Sequence, residues 1–147
     1  SYVVYDAVRQ VDFPEERPRK FEINIPKDLP AIISDVPTLS TAIRELLDNA
    51  AKFSSDDDTI TLNAAVVDGM VEIAIRDEGR GIPLAEQDHI WERFYQIDRD
   101  KLEDQGSGSG LSIVDEIVKM HEGSRRIVSE PSKGSTFILR LPLAEQA

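Results

Sequence analysis

Across residues 60–75, apolar side chains fall on every second position in two runs, Ile60, Leu62, Ala64 and Val66, then Val71, Ile73 and Ile75, with Asp68-Gly69 between them. A period of two belongs to a strand with one buried face, and Asp-Gly tolerates the left-handed conformations of a two-residue hairpin turn. The chain is therefore expected to form an antiparallel hairpin with one apolar face, which a second layer has to cover.

The sequence supplies that layer in its longest helical pattern, where Leu39, Ile43, Leu46, Leu47, Ala50 and Phe53 make a broad apolar stripe. Asp35 can cap this helix, Pro37 suits its first turn, and the polar run Ser54 to Asp58 ends it. Upstream, Val4, Val8 and Val11 predict a short amphipathic helix over residues 2–11, and Phe21, Ile23 and Ile25 alternate as a strand closed by Pro26. Downstream come a short helical patch near Ile90 to Phe94 and then a polar stretch, Gln96 to Gly110, that reads as a long loop without apolar period. Leu111, Val114, Ile117 and Val118 mark another helix, followed by strands around Arg126 to Ser129 and through Phe137, Leu139 and Leu141. The order αβαββαββ implies an α/β (α+β) two-layer sandwich, a mixed sheet of about five strands with one face covered by three helices. One domain is expected over residues 1–147, with a helix and linker at 1–19 and a frayed tail at 143–147.

Composition narrows the partners. With 147 residues and no cysteine, the chain can bury a core without disulfides and has no thiolate metal site. A formal net charge of −11 opposes nucleic-acid binding, so any anionic ligand needs a locally positive pocket. No run approaches the length of apolar sequence that spans a bilayer, so no membrane contact is expected of this segment. The chain starts at Ser1 without an initiator Met, which suggests an excised piece of a longer protein.

Four segments carry chemistry. Glu45, Asn49 and Lys52 share one face of the long helix. They read either as a solvated polar face or as a site for Mg²⁺ and phosphate, with an amide oxygen for the metal and an ammonium for the anion. Asp77-Glu78-Gly79-Arg80-Gly81-Ile82-Pro83 follows a buried strand. It is either a tight turn or a place where backbone approaches a flat ligand and a carboxylate accepts from an exocyclic amine. Gly106-Ser107-Gly108-Ser109-Gly110-Leu111 opens onto a helix and reads as a flexible linker or an anion cradle. It is neither a Walker A loop nor a dinucleotide fingerprint. Gly134-Ser135-Thr136-Phe137 adds hydroxyls beside a glycine at the start of the last strand.

In this order the segments resemble the histidine kinase branch of the ATPases that share the Bergerat fold with gyrase, the Hsp90 chaperone and the MutL repair protein. Glu45 to Ser54 looks like that family's N box, Asp77 to Gly81 like its G1 box, and Trp91 to Tyr95 like its F box. Gly106 to Leu111 looks like its G2 box, and Gly134 to Phe137 like the segment closing the adenine pocket. The resemblance implies that Asn49 ligates Mg²⁺ and Lys52 contacts phosphate. It likewise implies that Asp77 accepts the adenine amino group with Thr136 near the same edge, and that Gly79 and Gly81 shape the pocket. Gly106, Ser107, Gly108, Ser109, Gly110 and Leu111 would wrap the phosphates as the end of an ATP lid over 95–110, and Phe53, Ile82 and Tyr95 would complete the ATP contacts. Glu45 is the candidate base.

The implied activity is transfer of the ATP γ-phosphoryl to a histidine on a separate helical hairpin, with a response regulator downstream, in a cytoplasmic part of a homodimeric parent; the isolated domain would be a monomer and inactive alone. A Bergerat-fold ATPase, a serine protein kinase and a degenerate partner-binding module are the alternatives. Ser109 stands where the family usually has Leu, and Gln96 where Arg is frequent, with Arg93, Arg99 and Lys101 nearby to compensate for the lost guanidinium. His89 and His121 lack the surroundings of a phosphoacceptor and read as structural or surface residues.

Overall fold

The computed structural model describes residues 2–10, 20–32, 34–53, 58–79, 81–92, 110–130 and 132–143. The elements are α1 (Tyr2–Gln10), β1 (Lys20–Asn24), α2 (Val36–Phe53), β2 (Thr59–Val67), β3 (Met70–Asp77), α3 (Gly110–Met120), β4 (Ser124–Glu130) and β5 (Gly134–Pro142). The strands form one sheet in the order β1-β2-β3-β5-β4. β1 runs parallel to β2 across the α2 crossover, and every other pair is antiparallel. This is the expected two-layer sandwich.

Local chemistry accounts for the elements. Asp68 and Gly69 both take positive φ, 52° and 75°, the type I′ geometry that matches strand twist. The Asp35 carboxylate accepts the Thr38 N–H at 2.8 Å, capping α2 at its first free donors. Strand alternation sends Val71, Ile73 and Ile75 of β3 and Phe137, Leu139 and Leu141 of β5 to the helical side, where they pair in register and are buried. Leu39, Ile43, Leu46, Leu47 and Ala50 of α2 cover them. Val114 and Val118 of α3 join the same core, as do Val4, Ala7 and Val8 of α1, which packs chiefly on α2.

Two expectations shift. The helical patch lies earlier than Ile90: Leu84–Glu86 forms a 3₁₀ turn, continued by hydrogen bonds from His89 and Ile90 back to Glu86. Pro83 and Gly81 fix where that turn begins, and Phe94 lies outside the described residues. Leu143 is not frayed, since it bridges to Ile32; residues 144–147, the linker at 11–19 and 95–109 of the proposed lid lie outside the described residues. Among the described residues no helix is long and apolar enough to cross a membrane.

Candidate functional site

The site begins where β3 ends. Asp77 has the strand parity of Ile75 and Ile73, so its carboxylate points to the helical side, and it is fully buried. Its Oδ1 accepts the Gly79 N–H at 2.9 Å. Its Oδ2 is buried without a hydrogen-bond partner among the described residues. Burial pushes the carboxyl up to about 6, against hydrogen bonding from the Gly79 and Ser135 backbones, with Asp58 adding a like charge. A buried, half-satisfied carboxylate costs stability and is the kind of group retained for a ligand that brings its own donor.

Ser135 is the register partner of Asp77 and is also buried. Thr136 is not at this edge. It pairs with Arg76, and strand alternation sends both side chains to the outer face of the sheet, away from the helices. The hydroxyl beside Asp77 is therefore that of Ser135, and the expectation for Thr136 is corrected by one residue of pleat.

Beyond Asp77 the chain doubles back under tight control. Gly81 takes φ 74°, a conformation that strains any side chain, and Ile82 is wholly buried. The Ile82 N–H donates to Ser129 Oγ at 2.7 Å, and its carbonyl accepts from Gln87 Nε2 at 2.9 Å. Gln87 Nε2 also donates to the Ser129 carbonyl at 3.1 Å. Gly134 closes the other side with φ 89°, and a Cβ there would collide with the Asp77 carbonyl oxygen. Ser129 and Gln87 carry no motif in the sequence. Gln87 reaches Ile82 locally, while the placement of β4 beside β5 brings Ser129 to both.

The second half of the site lies between α2 and α3. Asn49 Nδ2 donates to the Glu45 carbonyl at 2.8 Å, which leaves Oδ1 as the amide atom free to meet a cation. Gly110, the first residue of α3, lies over both side chains: a Cβ there would meet Glu45 Oε2, and would stand 3.7 Å from Asn49 Nδ2. The start of α3, the positive end of its helix dipole, thus lies beside Glu45 and Asn49. A hard amide oxygen, a carboxylate and a helix N-terminus suit Mg²⁺ shared with phosphate, since Mg²⁺ takes few protein ligands and completes its shell elsewhere. Leu111 puts its side chain into the core. Lys52 and Phe53 complete the α2 helix, but their side chains, with Tyr95, Gly106, Ser107, Gly108 and Ser109, lie outside what is described.

Trp91 is buried in the core and makes an edge-type contact with Phe137, ring centroids 6.0 Å apart. The Arg125 guanidinium lies over the Trp91 ring, 4.6 Å from its centroid, while Arg125 Nε donates to Asp115 Oδ1 at 3.0 Å. Both histidines are held structurally: His89 contacts Glu92 at 3.1 Å. His121 donates from Nδ1 to the Ile117 carbonyl and meets Ser34 Oγ through Nε2, both at 2.7 Å.

Known proteins resemble this chain in sequence and fold. A family model described as histidine kinase-, DNA gyrase B-, and HSP90-like ATPase matches residues 34–145. The sensor-like histidine kinase SenX3 of Mycolicibacterium smegmatis is 35% identical over 125 residues, 82% of this chain and 33% of the relative. The adaptive-response sensory kinase SasA of Thermosynechococcus vestitus is 34% identical over 130 residues, 88% of this chain and 34% of the relative. The chain thus spans about a third of the length of these curated relatives. Among solved structures, the mycobacterial sensor histidine kinase MprB superposes with a TM-score of 0.80 at 28% identity, covering 99% of this chain and 96% of that one. Full-length ShkA in complex with AMPPNP gives 0.79 at 25% identity, covering 99% of this chain and 30% of that one.

Proposed function

The chain belongs to the family of histidine kinase-, DNA gyrase B- and HSP90-like ATPases, and from that premise we propose that it binds Mg-ATP and donates the γ-phosphoryl group to a histidine on a separate phosphoacceptor hairpin. The observation that carries the nucleotide reading is the Oδ2 of buried Asp77, which has no hydrogen-bond partner among the described residues and is an acceptor matched to the exocyclic amine of adenine. The histidine-kinase reading is supported by relatives at 34–35% identity that are sensor kinases.

In this reading Asp77 accepts the adenine amine, while Gly81, Ile82 and Gly134 form the walls that admit the ring. Asn49 Oδ1 would hold Mg²⁺, and the ion would supply positive charge to offset that of the phosphates. The first N–H groups of α3 and the Lys52 ammonium receive phosphate oxygens, so the chain contributes mostly position and charge complementarity. Glu45 accepts the N–H of the attacking imidazole, making its other nitrogen the nucleophile. The new N–P bond forms as the bond between the γ-phosphorus and the β–γ bridging oxygen breaks, and ADP leaves. A response regulator would take the phosphoryl group onward, and the domain would serve a homodimeric parent from the cytoplasm.

Calorimetry with Mg-ATP tests the pocket. Asn49→Ala and Asp77→Ala are each expected to abolish measurable binding, and unchanged binding in both variants removes the site. Adding an acceptor hairpin tests the chemistry: an acid-labile, base-stable phosphoprotein is expected, and acid-stable phosphate would assign a hydroxyl acceptor instead.

A further inference from the structure

Ser129 lies at the end of β4, outside every motif, yet its hydroxyl meets three groups of the base-reading end of the site. Its Oγ accepts the Ile82 N–H at 2.7 Å and lies 3.1 Å from the Gly134 carbonyl and 2.8 Å from Ser135 Oγ. We propose that Ser129 is a positioning residue for base recognition, fixing through one hydroxyl both the Ile82 backbone and the hydrogen-bonding sense of the Ser135 hydroxyl beside Asp77. The inference rests on the reading of the site as one for an adenine nucleotide.

A serine hydroxyl has one proton to give and two lone pairs. One lone pair of Ser129 is committed to the Ile82 N–H, so its proton goes either to the Gly134 carbonyl or to Ser135. In the first arrangement Ser135 spends its own proton on Ser129 and can only accept from a ligand. In the second, Ser135 receives the Ser129 proton and keeps its own to donate. The network therefore has two states of opposite polarity next to a carboxylate that, when ionised, only accepts.

The base edges differ in the same sense. Adenine offers a donor, the amino group, beside an unprotonated ring nitrogen that accepts. Guanine offers an acceptor beside a protonated ring nitrogen that donates. Ionised Asp77 with Ser135 in its donor state complements the adenine edge, directly or through one water. Ser129 supports that state because it can supply a proton to Ser135 without giving up Ile82. Gln87 braces the arrangement, since one Nε2 binds the carbonyls of both Ile82 and Ser129.

The test compares Mg-ADP and Mg-GDP affinities, measured by competition so that weak binding is quantified, in the wild-type chain, Ser129→Ala, Ser129→Thr and Ser135→Ala. Ser129→Ala is expected to lose about tenfold in ADP affinity, the scale of one net hydrogen bond to a positioned group, with GDP affinity little changed. The ADP-to-GDP ratio therefore falls. Ser129→Thr, which keeps the hydroxyl, is expected to restore most of that ratio. Ser135→Ala removes the oriented group without touching Ile82 and is expected to lower the ratio even if Ser129→Ala fails to fold. A wild-type ratio in Ser135→Ala, or in a folded Ser129→Ala, overturns the inference while the nucleotide reading stands. No ADP binding by the wild-type chain overturns that reading and the inference with it.

Discussion

Gly110 of α3 lies against the Glu45 carboxylate so closely that a Cβ at position 110 would collide with Glu45 Oε2, the far end of a flexible side chain. Gly110→Ala should therefore leave the fold within about 1 kcal/mol of wild type, because the carboxylate can swing aside and alanine favours helix. The cost should appear in the phosphate end of the site instead. ATP affinity is expected to fall about tenfold, with AMP affinity and the thermal midpoint nearly unchanged. An equal loss for AMP and ATP in calorimetry would separate Gly110 from the phosphates.

Gly134 presents the opposite case. Its φ of 89° is strained for any side chain, and its Cβ would strike the Asp77 carbonyl oxygen, with the Glu78 Cα 3.0 Å away. Both obstacles are backbone and cannot rotate away. Gly134→Ala is expected to destabilise the chain by about 2–4 kcal/mol, read from the urea midpoint. A loss under about 1 kcal/mol would mean that the β5 start relaxes freely.

What the sequence made legible was what is local. Alternation over Ile60, Leu62 and Ala64 and over Val71, Ile73 and Ile75, with the Leu39 to Ala50 stripe, records burial directly, Val66 near the hairpin tip being the exposed exception, and Asp68-Gly69 and Asp35 carry their turn and cap chemistry locally. The insertion of β5 between β3 and β4 includes a nonlocal pairing, and it brings Ser129 to Ile82 and Gln87, which are themselves only five residues apart. Thr136 and Ser135 could be told apart only once the register with Asp77 was known, since a shift of one residue exchanges the faces of a strand. The 3₁₀ turn at Leu84–Glu86 was hidden because three residues are too few to show an apolar period.

Arg125 joins three elements by stacking on Trp91 and bonding Asp115, which also pairs with Lys119 at 2.8 Å. Burial works to raise the Asp115 carboxyl, but Lys119 and Arg125 outweigh it and hold it below the usual range. Arg125→Gln is expected to cost about 1–2 kcal/mol, from a partly desolvated cation–π contact and a charge-assisted hydrogen bond. Trp91 is the chain's single tryptophan, so its emission reports the loss directly. A double-mutant cycle with Asp115→Asn should give a coupling of about 1 kcal/mol, and a coupling near zero would make the pair incidental.

The half-satisfied carboxyl of buried Asp77 makes stability depend on pH. The folded carboxyl is raised from 3.8 to about 6, so the protonated form stabilises the native state. That contribution is fully present below 3.8 and is lost as pH rises through about 6. At pH 7 the ionised group therefore costs stability, on the order of 2–3 kcal/mol at most for a shift of this size. Asp77→Asn, which keeps the shape and removes the charge, is expected to raise the unfolding free energy of the nucleotide-free chain at pH 7 while showing little advantage near pH 4. The same substitution places an amide donor opposite the adenine amine and should abolish ATP binding. In the wild type, ATP affinity should weaken by up to about tenfold per pH unit below about 6, as the carboxyl must give up a proton before it can accept. Urea titrations of both proteins at pH 4, 5.5 and 7, beside calorimetry at the upper two values, check both halves. A variant less stable than wild type at pH 7 would show that the buried carboxylate is a stabilising group rather than one held ready for a ligand.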